Sequence, residues 1–353
     1  MNILYLASHA VAEYDLLDLF TRIGYDTFVP GGYERPSEPG EGMRPSLPDA
    51  PYHPDLVEAC NLQREAMGDP GHRIDWAKAV IHPAVLDWAD TIICEHFPER
   101  WLVPQWGRIR DKRVIWRTCG QSSPGLERMM FTLRRDGLQI VRYSPAERRA
   151  FTRLGQFAGE DAVIRFWKDP DEWNGWVGEP AYVTNVTQNL MQRGEATNGQ
   201  FWLAATKGLP TYPIGEGSEV IGGPGKVSYE DMKDTLRNSR AYLYTGTQPA
   251  SYTLGLIEAM MTGIPVVSIG PAWMQIPDLF EAPDLVHSYD QASDAQTMLR
   301  RLLADHQFAS DVGSLHRDVA VALFGRETIA RQWIDFLGNP MTATSETVEM
   351  VTA

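Results

Sequence analysis

The residues with the clearest chemical potential lie in one run, Pro249-Ala-Ser-Tyr-Thr-Leu-Gly-Leu-Ile-Glu258-Ala-Met-Met-Thr-Gly-Ile-Pro265. Ser251 or Thr253 suits the N-cap of a helix running to Thr262, with Gly263 as the residue that ends it and Pro265 opening the next strand. The apolar residues 241–244 ahead of it read as a strand. A helix that starts at the carboxyl end of a parallel strand aims unpaired amides and the positive end of its dipole at one place, which favours an anion such as a phosphate. Glu258 falls about one turn inside. Flanked by Leu256, Ile257, Ala259, Met260 and Met261, it is expected on a largely buried helix, where a carboxylate must have partners. Two neighbouring ribose hydroxyls would satisfy it; an exposed helix glutamate is the plainer alternative.

The elements that must position this run follow from the pattern around it. Short apolar runs alternate with helical periodicity, the signature of βαβ units and parallel sheets. In the first half, strands are predicted at residues 3–7, 91–95, 114–117 and 140–143, with a helix beginning near Glu13. Residues 33–54, dense in Pro, Gly, Ser and charge, read as a long surface loop. A second set of strands starts near Tyr182, with 209–214, 241–244, 266–269 and 285–288 as candidates. Residues 168–180, rich in Trp, Asp, Gly and Pro, break both periodicities and mark a junction. The expectation is therefore a first domain over 1–175 and a second over 176–318, with ligands in the cleft between them. An amphipathic terminal helix over 319–337 and a fraying tail over 338–353 complete the reading.

Bulk properties agree and exclude other classes. At 353 residues the chain exceeds what one hydrophobic core usually serves. No apolar stretch approaches the roughly 20 residues of a membrane span. The start, Met-Asn-Ile-Leu-Tyr-Leu-Ala-Ser, reads as a strand instead of a secretory signal. Cys60, Cys94 and Cys119 fit neither a zinc site nor a disulfide framework, so a cytoplasmic location is expected and Asn185-Val-Thr187 is not read as a glycosylation site. The formal net charge of −14 argues against broad binding of nucleic acid through its phosphates.

With these residues in view, the segment resembles the donor-binding signature of glycosyltransferase family 4, whose usual form is Glu-Gly-Phe-Gly-Leu, three residues, Glu-Ala-Met, then Gly-x-Pro-Val-Val. Leu254, Glu258-Ala-Met260 and Gly263-Ile-Pro-Val-Val267 match it. Val227-Ser-Tyr-Glu-Asp-Met232 resembles the family's helix start beneath the nucleobase. The resemblance implies the GT-B fold, an α/β architecture of two Rossmann-like domains facing a central cleft, with the acceptor on the first domain and the donor on the second. It also implies amides of Ser251, Tyr252, Thr253 and Leu254 on the donor phosphates, Glu258 on the ribose, and main chain near Lys226 and Val227 on the base. Two departures stand out. The first signature glutamate, which in the family contacts the transferred sugar, is Ala250 here, and the two signature glycines are Ser251 and Thr253.

Family order extends through the first half. Asp90-Thr-Ile-Ile-Cys-Glu-His96 is similar to the strand that ends in a histidine at the cleft, which places His96 on the donor sugar or its phosphate as the bond breaks. Ser8-His9-Ala10 stands where a glycine-rich loop is usual, so His9 is a candidate on the acceptor side, with loop capping as the alternative. Glu13 and Asp15, flanking Tyr14, serve either the acceptor or the helix dipole. The family's Arg and Lys for the leaving diphosphate fall in Asn185-Val-Thr-Gln-Asn-Leu-Met-Gln-Arg193. There the arginine position is Thr187 and only Arg193 is basic. Arg117, Arg142 or Arg165 would compensate, or each would be a strand-end cation in a surface pair.

Other signals carry less. Asp169-Pro-Asp171 sits in the junction and reads as a turn, not as a metal motif. Gly215-Glu-Gly217 and Gly222-Gly-Pro-Gly225 lack the helix and distant acid of a dinucleotide site. Trp167, Trp173 and Trp176 suit packing at the junction. The resemblance implies retaining transfer of a sugar from a UDP- or GDP-linked donor to a hydroxyl, needing neither a metal nor a bound cofactor. The acceptor is left open among glycan, protein, small molecule and a hydroxylated base in phage DNA, because Pro249-Ala-Ser-Tyr-Thr253 also resembles phage and environmental variants, which would place the enzyme in a host cytoplasm. A nucleotide-sugar epimerase or hydrolase, or a catalytically silent donor-binding protein, stands as the alternative.

Overall fold

The computed structural model describes residues 1–38, 44–68, 80–270 and 287–340. In chain order its elements are β1 (Asn2–Leu6), α1 (Ala10–Ile23), β2 (Asp26–Phe28), α2 (Pro54–Met67), α3 (Pro83–Trp88), β3 (Thr91–Cys94), α4 (Pro98–Trp101), α5 (Trp106–Ile109), β4 (Arg113–Arg117), α6 (Pro124–Arg135), β5 (Gln139–Arg142), α7 (Pro145–Arg153) and β6 (Ala162–Val163). There follow β7 (Val183–Thr184), α8 (Gly199–Ala205), α9 (Tyr229–Asn238), β8 (Ala241–Tyr244), α10 (Leu254–Thr262), β9 (Val266–Ile269), β10 (His287–Tyr289), α11 (Ala292–Ala304), α12 (His306–Phe324) and α13 (Arg326–Leu337). The described chain folds into two compact units. One holds Met1–Arg117, Leu133–Gln139 and the described chain from Ala330 onward; the other holds Thr118–Thr132 and Ile140–Ile329. No described helix is long and apolar enough to cross a membrane.

In the first unit, parallel strands lie in the order β2-β1-β3-β4, with Ile3 opposite both Thr27 and Thr91 and Thr91 opposite Arg113. Ile3, Leu4, Ile92, Ile93, Val114 and Ile115 are all buried, as continuous apolar runs must be when both faces of a parallel sheet are covered. The end of α13 is fastened here. Trp333 packs edge-on against Phe20 with ring centroids 5.2 Å apart, and Arg113 donates to the carbonyls of Phe336 and Leu337 at 2.7 and 2.9 Å, satisfying acceptors that a helix C-terminus leaves open.

In the second unit β5 pairs with β6, and a separate parallel sheet runs β10-β9-β8-β7. Its core gathers Val183, Leu243 and Val267 from the strands with Trp202, Leu299 and Leu302 from α8 and α11. The expected strand at 209–214 is reduced to a single bridge, Thr211 beside Val183, with Tyr212 and Ile214 donating to the carbonyls of Val183 and Asn185. The expected strand at 285–288 appears as β10, with residues 285 and 286 outside the described ones.

The terminal helix differs from expectation. Residues 319–337 belong to two helices, because Gly325 takes an extended conformation between α12 and α13. The break has a partner: Lys168 pairs with Gly325 as an isolated bridge and donates its amide to Phe324 O at 3.0 Å. Helical periodicity continues across the break, so the pattern alone does not register it. Of the tail, residues 341–353 lie outside the described chain.

Candidate functional site

The second unit carries the run singled out from the sequence. β8 is buried throughout, and the chain leaves it through Gly246 and Pro249 to reach Thr253, the extended N-cap of α10. The helix ends where expected, at Gly263 with φ +96°, a left-handed conformation that glycine adopts without steric cost. Contacts of Tyr252, Ser251 and Gln248 hold the loop. The Tyr252 ring is buried among Tyr143, Phe166 and Phe324, and its hydroxyl donates to Tyr143 O at 2.7 Å. The Ser251 amide donates to the Tyr143 hydroxyl at 2.5 Å. The Gln248 amide donates to Ala196 O at 2.7 Å.

The loop after β7 covers the same helix start. Asn185 donates from its side-chain amide to Leu243 O at 2.8 Å and accepts the Thr187 amide at 2.7 Å. A Cβ added at Gly255, in the first turn of α10, would stand 2.7 Å from Val186 Cγ2; the absence of a side chain lets the two segments close. Arg193, farther along that loop, is exposed, while its own amide donates to Asn189 O at 3.0 Å. Lys226 is exposed and Val227 half-buried. They precede Ser228, the N-cap of α9, whose hydroxyl accepts the Asp231 amide at 3.1 Å. Ser251, Thr253 and Leu254 are half-buried.

Glu258 is buried on α10, and its partner is Lys168: Nζ lies 2.6 Å from Oε1 with side-chain exposures of 1% and 7%. Burial without a counter-ion would be costly; the structure supplies one from the chain after β6. Sequence reasoning missed this lysine. The signal available was a lone cation in the Trp-rich stretch 167–176, a place where a long side chain is unlike its neighbours.

Ala250 also acquires a physical setting. A Cβ at Gly120 would meet the Ala250 Cβ at 2.7 Å and the Tyr143 hydroxyl at 2.7 Å. Gly120 has φ +84°, so two small residues let two loops approach where the family signature has a glutamate.

In the first unit, His96 follows β3 and His9 follows β1. Their rings are stacked, 16° between planes with centroids 6.5 Å apart. The Ser8 amide donates to His96 Nδ1 at 3.4 Å. His96 is buried and His9 exposed. His9 occupies the N-cap of α1 without a side-chain cap bond. Glu13 is buried and accepts the Gly32 amide at 3.1 Å, while Asp15 accepts from Arg44 at 3.2 Å, so both acids hold the unit's own loop. Beside His96, Glu95 pairs with Arg117 at 3.3 Å and receives the Tyr5 hydroxyl. Burial, and then the Glu95 charge, push the Tyr5 phenol well above its ordinary value.

The expected alternative of surface pairs for the compensating arginines is overturned. Arg117 sits in that buried pair. Arg142 is fully buried against Glu127, with two bonds of 2.7 and 2.8 Å. Arg165 is buried and makes contacts of its own. Asp169-Pro-Asp171 is a turn, with the Asp171 amide on Asp169 Oδ1 at 3.0 Å. Trp173 is buried and Trp176 donates to Ser239 O at 2.8 Å, as packing residues do.

Comparison with known proteins gives the class. Residues 195–335 match a family described as Glycosyl transferase-like, a span that includes α9, α10 and the loop between β8 and α10. Over 96% of this chain and 99% of its own, HepE of Anabaena, in complex with UDP and glucose, superposes with a TM-score of 0.64 at 15% identity. Sucrose-phosphate synthase of Thermosynechococcus elongatus covers 98% of this chain and 100% of its own, with a TM-score of 0.65 at 14% identity. A glycosyltransferase of Rickettsia africae covers 96% and 99%, with a TM-score of 0.62 at 10% identity. No curated protein matches by sequence. The chain thus has the α/β architecture of the GT-B glycosyltransferases, with parallel sheets, and its residues 195–335 are similar to a glycosyltransferase-like family.

Proposed function

We propose that the chain is a retaining glycosyltransferase that moves a sugar from a nucleoside-diphosphate sugar, UDP- or GDP-linked, to a hydroxyl acceptor. The observation that carries the reading is the helix start at Thr253 with Glu258 buried one turn behind it, inside the span that matches the glycosyltransferase-like family. Amides at the start of α10 bind the diphosphate, Glu258 accepts from the ribose hydroxyls, and the α9 start near Lys226 and Val227 meets the base. The UDP complexes among similar structures favour a uridine donor.

In the proposed step the acceptor hydroxyl attacks the anomeric carbon on the face from which the diphosphate leaves. The C–O bond to the phosphate breaks as the new glycosidic bond forms, and the acceptor proton passes to the departing phosphate oxygen. Charge on that phosphate is met by the α10 amides and by Arg193, whose side chain is exposed. From the first unit, His96 is assigned to the sugar or its phosphate and His9 to the acceptor. Glu13 acts through the loop it holds.

The test is incubation with a panel of UDP- and GDP-sugars and with glycan, protein, small-alcohol and hydroxymethylated-DNA acceptors. Sugar linked to an acceptor with retained anomeric configuration, in the presence of EDTA, is the expected result. Altered sugar or free nucleotide formed without acceptor would show an epimerase or hydrolase, and protection against melting without turnover a silent binding protein. Glu258→Ala is expected to weaken donor binding by at least about tenfold; undiminished affinity and turnover would overturn the ribose assignment.

A further inference from the structure

Lys168 belongs to no signature motif, yet its ammonium is the cation paired with the Glu258 carboxylate, Nζ to Oε1 at 2.6 Å. Its position is fixed from several sides. Its backbone is bonded to Phe324 and bridged to Gly325, and Nζ lies 5.5 Å from the Trp173 ring centroid. Trp173 is held in turn by its amide on Asp169 O at 3.0 Å and by Arg317 on its carbonyl. A buried ammonium with so little freedom fixes one carboxylate oxygen and with it the plane of the group. Recognition of a vicinal diol depends on that plane, because two hydroxyls can be accepted together only by lone pairs that stay in one orientation.

We infer that Lys168 is a positioning residue that orients Glu258 for the two ribose hydroxyls and so makes the site select ribonucleotides over 2′-deoxyribonucleotides; this rests on the assignment of Glu258 to the ribose. The lysine holds the carboxylate in its buried place and turned toward the ligand. Without it the carboxylate loses its counter-ion and the contact that fixes its orientation, and it rotates away from the ligand.

Calorimetric binding of UDP and GDP to the full chain identifies the nucleotide, which is then compared with its 2′-deoxy form. The wild type is expected to prefer the ribonucleotide by at least about tenfold. Glu258→Gln and Lys168→Met are each expected to bring that preference within about threefold of unity. The double variant K168M/E258Q, which leaves no unpaired buried charge and so keeps the comparison open if K168M does not fold, is expected to match E258Q in both affinity and preference. Loss of preference in E258Q with full preference in K168M would overturn the inference and leave the ribose assignment standing. A further loss of ribonucleotide affinity in the double variant, by about fivefold or more beyond E258Q, would overturn it too, since Lys168 would then touch the nucleotide itself. Full preference in E258Q, or no binding of either nucleotide by the wild type, would instead remove the ribose assignment on which it rests.

Discussion

Glu147 offers a test of the structure that does not depend on any substrate. It lies in the first turn of α7, buried, with its carboxylate accepting the Thr118 hydroxyl at 2.5 Å. Burial pushes its pKa up from 4.5 to about 7, against the opposing pull of Arg142 and the Thr118 hydrogen bond. Because the folded state binds the proton more tightly than the unfolded chain, the stability this contributes is complete below 4.5 and is lost as pH rises through about 7. The whole effect is about 3 kcal/mol, of which about 2 kcal/mol falls between pH about 5.5 and about 8.5. Glu147→Gln keeps an acceptor for Thr118 and removes the charge. Urea denaturation of both proteins across that range isolates the contribution of Glu147, since titrating groups not coupled to it cancel in the difference. The variant is expected to gain about 2 kcal/mol on the wild type as pH rises from about 5.5 to about 8.5. A difference constant to within about 0.5 kcal/mol across this range, or one that falls, would refute a protonated buried Glu147.

Two further changes probe packing and charge. Gly313→Ala should stabilise α12 by about 1 kcal/mol on helix propensity alone, but the added Cβ would land on the Gly263 carbonyl oxygen. A net loss of about 1–3 kcal/mol is expected, and an unchanged or raised melting temperature would contradict the close approach of α12 to the end of α10. Arg142→Met leaves Glu127 buried with, among the described residues, the Ser122 hydroxyl and the Ala158 amide as donors and should cost about 3–5 kcal/mol; adding Glu127→Gln should recover part of that loss in the same denaturation assay.

Much of the second unit was readable in the chain. The order apolar strand, loop, cap, helix, Gly263 and Pro265 is local, and each step depends on neighbours within a turn or two, so β8, α10 and β9 appear where periodicity and capping put them. The expectation that Glu258 lies on a buried helix rested on its flanking apolar residues and holds. The alternative that the arginines are strand-end cations in surface pairs fails for the opposite reason. Residues Arg117 and Arg142 end strands in the pattern, but whether a strand-end cation faces water or a buried carboxylate depends on what the fold brings opposite it. The same is true of Gly325, whose helical surroundings conceal an extended residue paired with Lys168.

By itself, then, the sequence determined the elements and the residue types along them, because backbone propensity, capping and burial periodicity act over a few residues. The partner of Glu258, the anchoring of Ser251 and Tyr252 on Tyr143 and the approach of Gly120 to Ala250 were decided only by the tertiary structure. Charge pairing and close packing act through space, and residues distant in the chain become neighbours only once the strands and helices have taken their places.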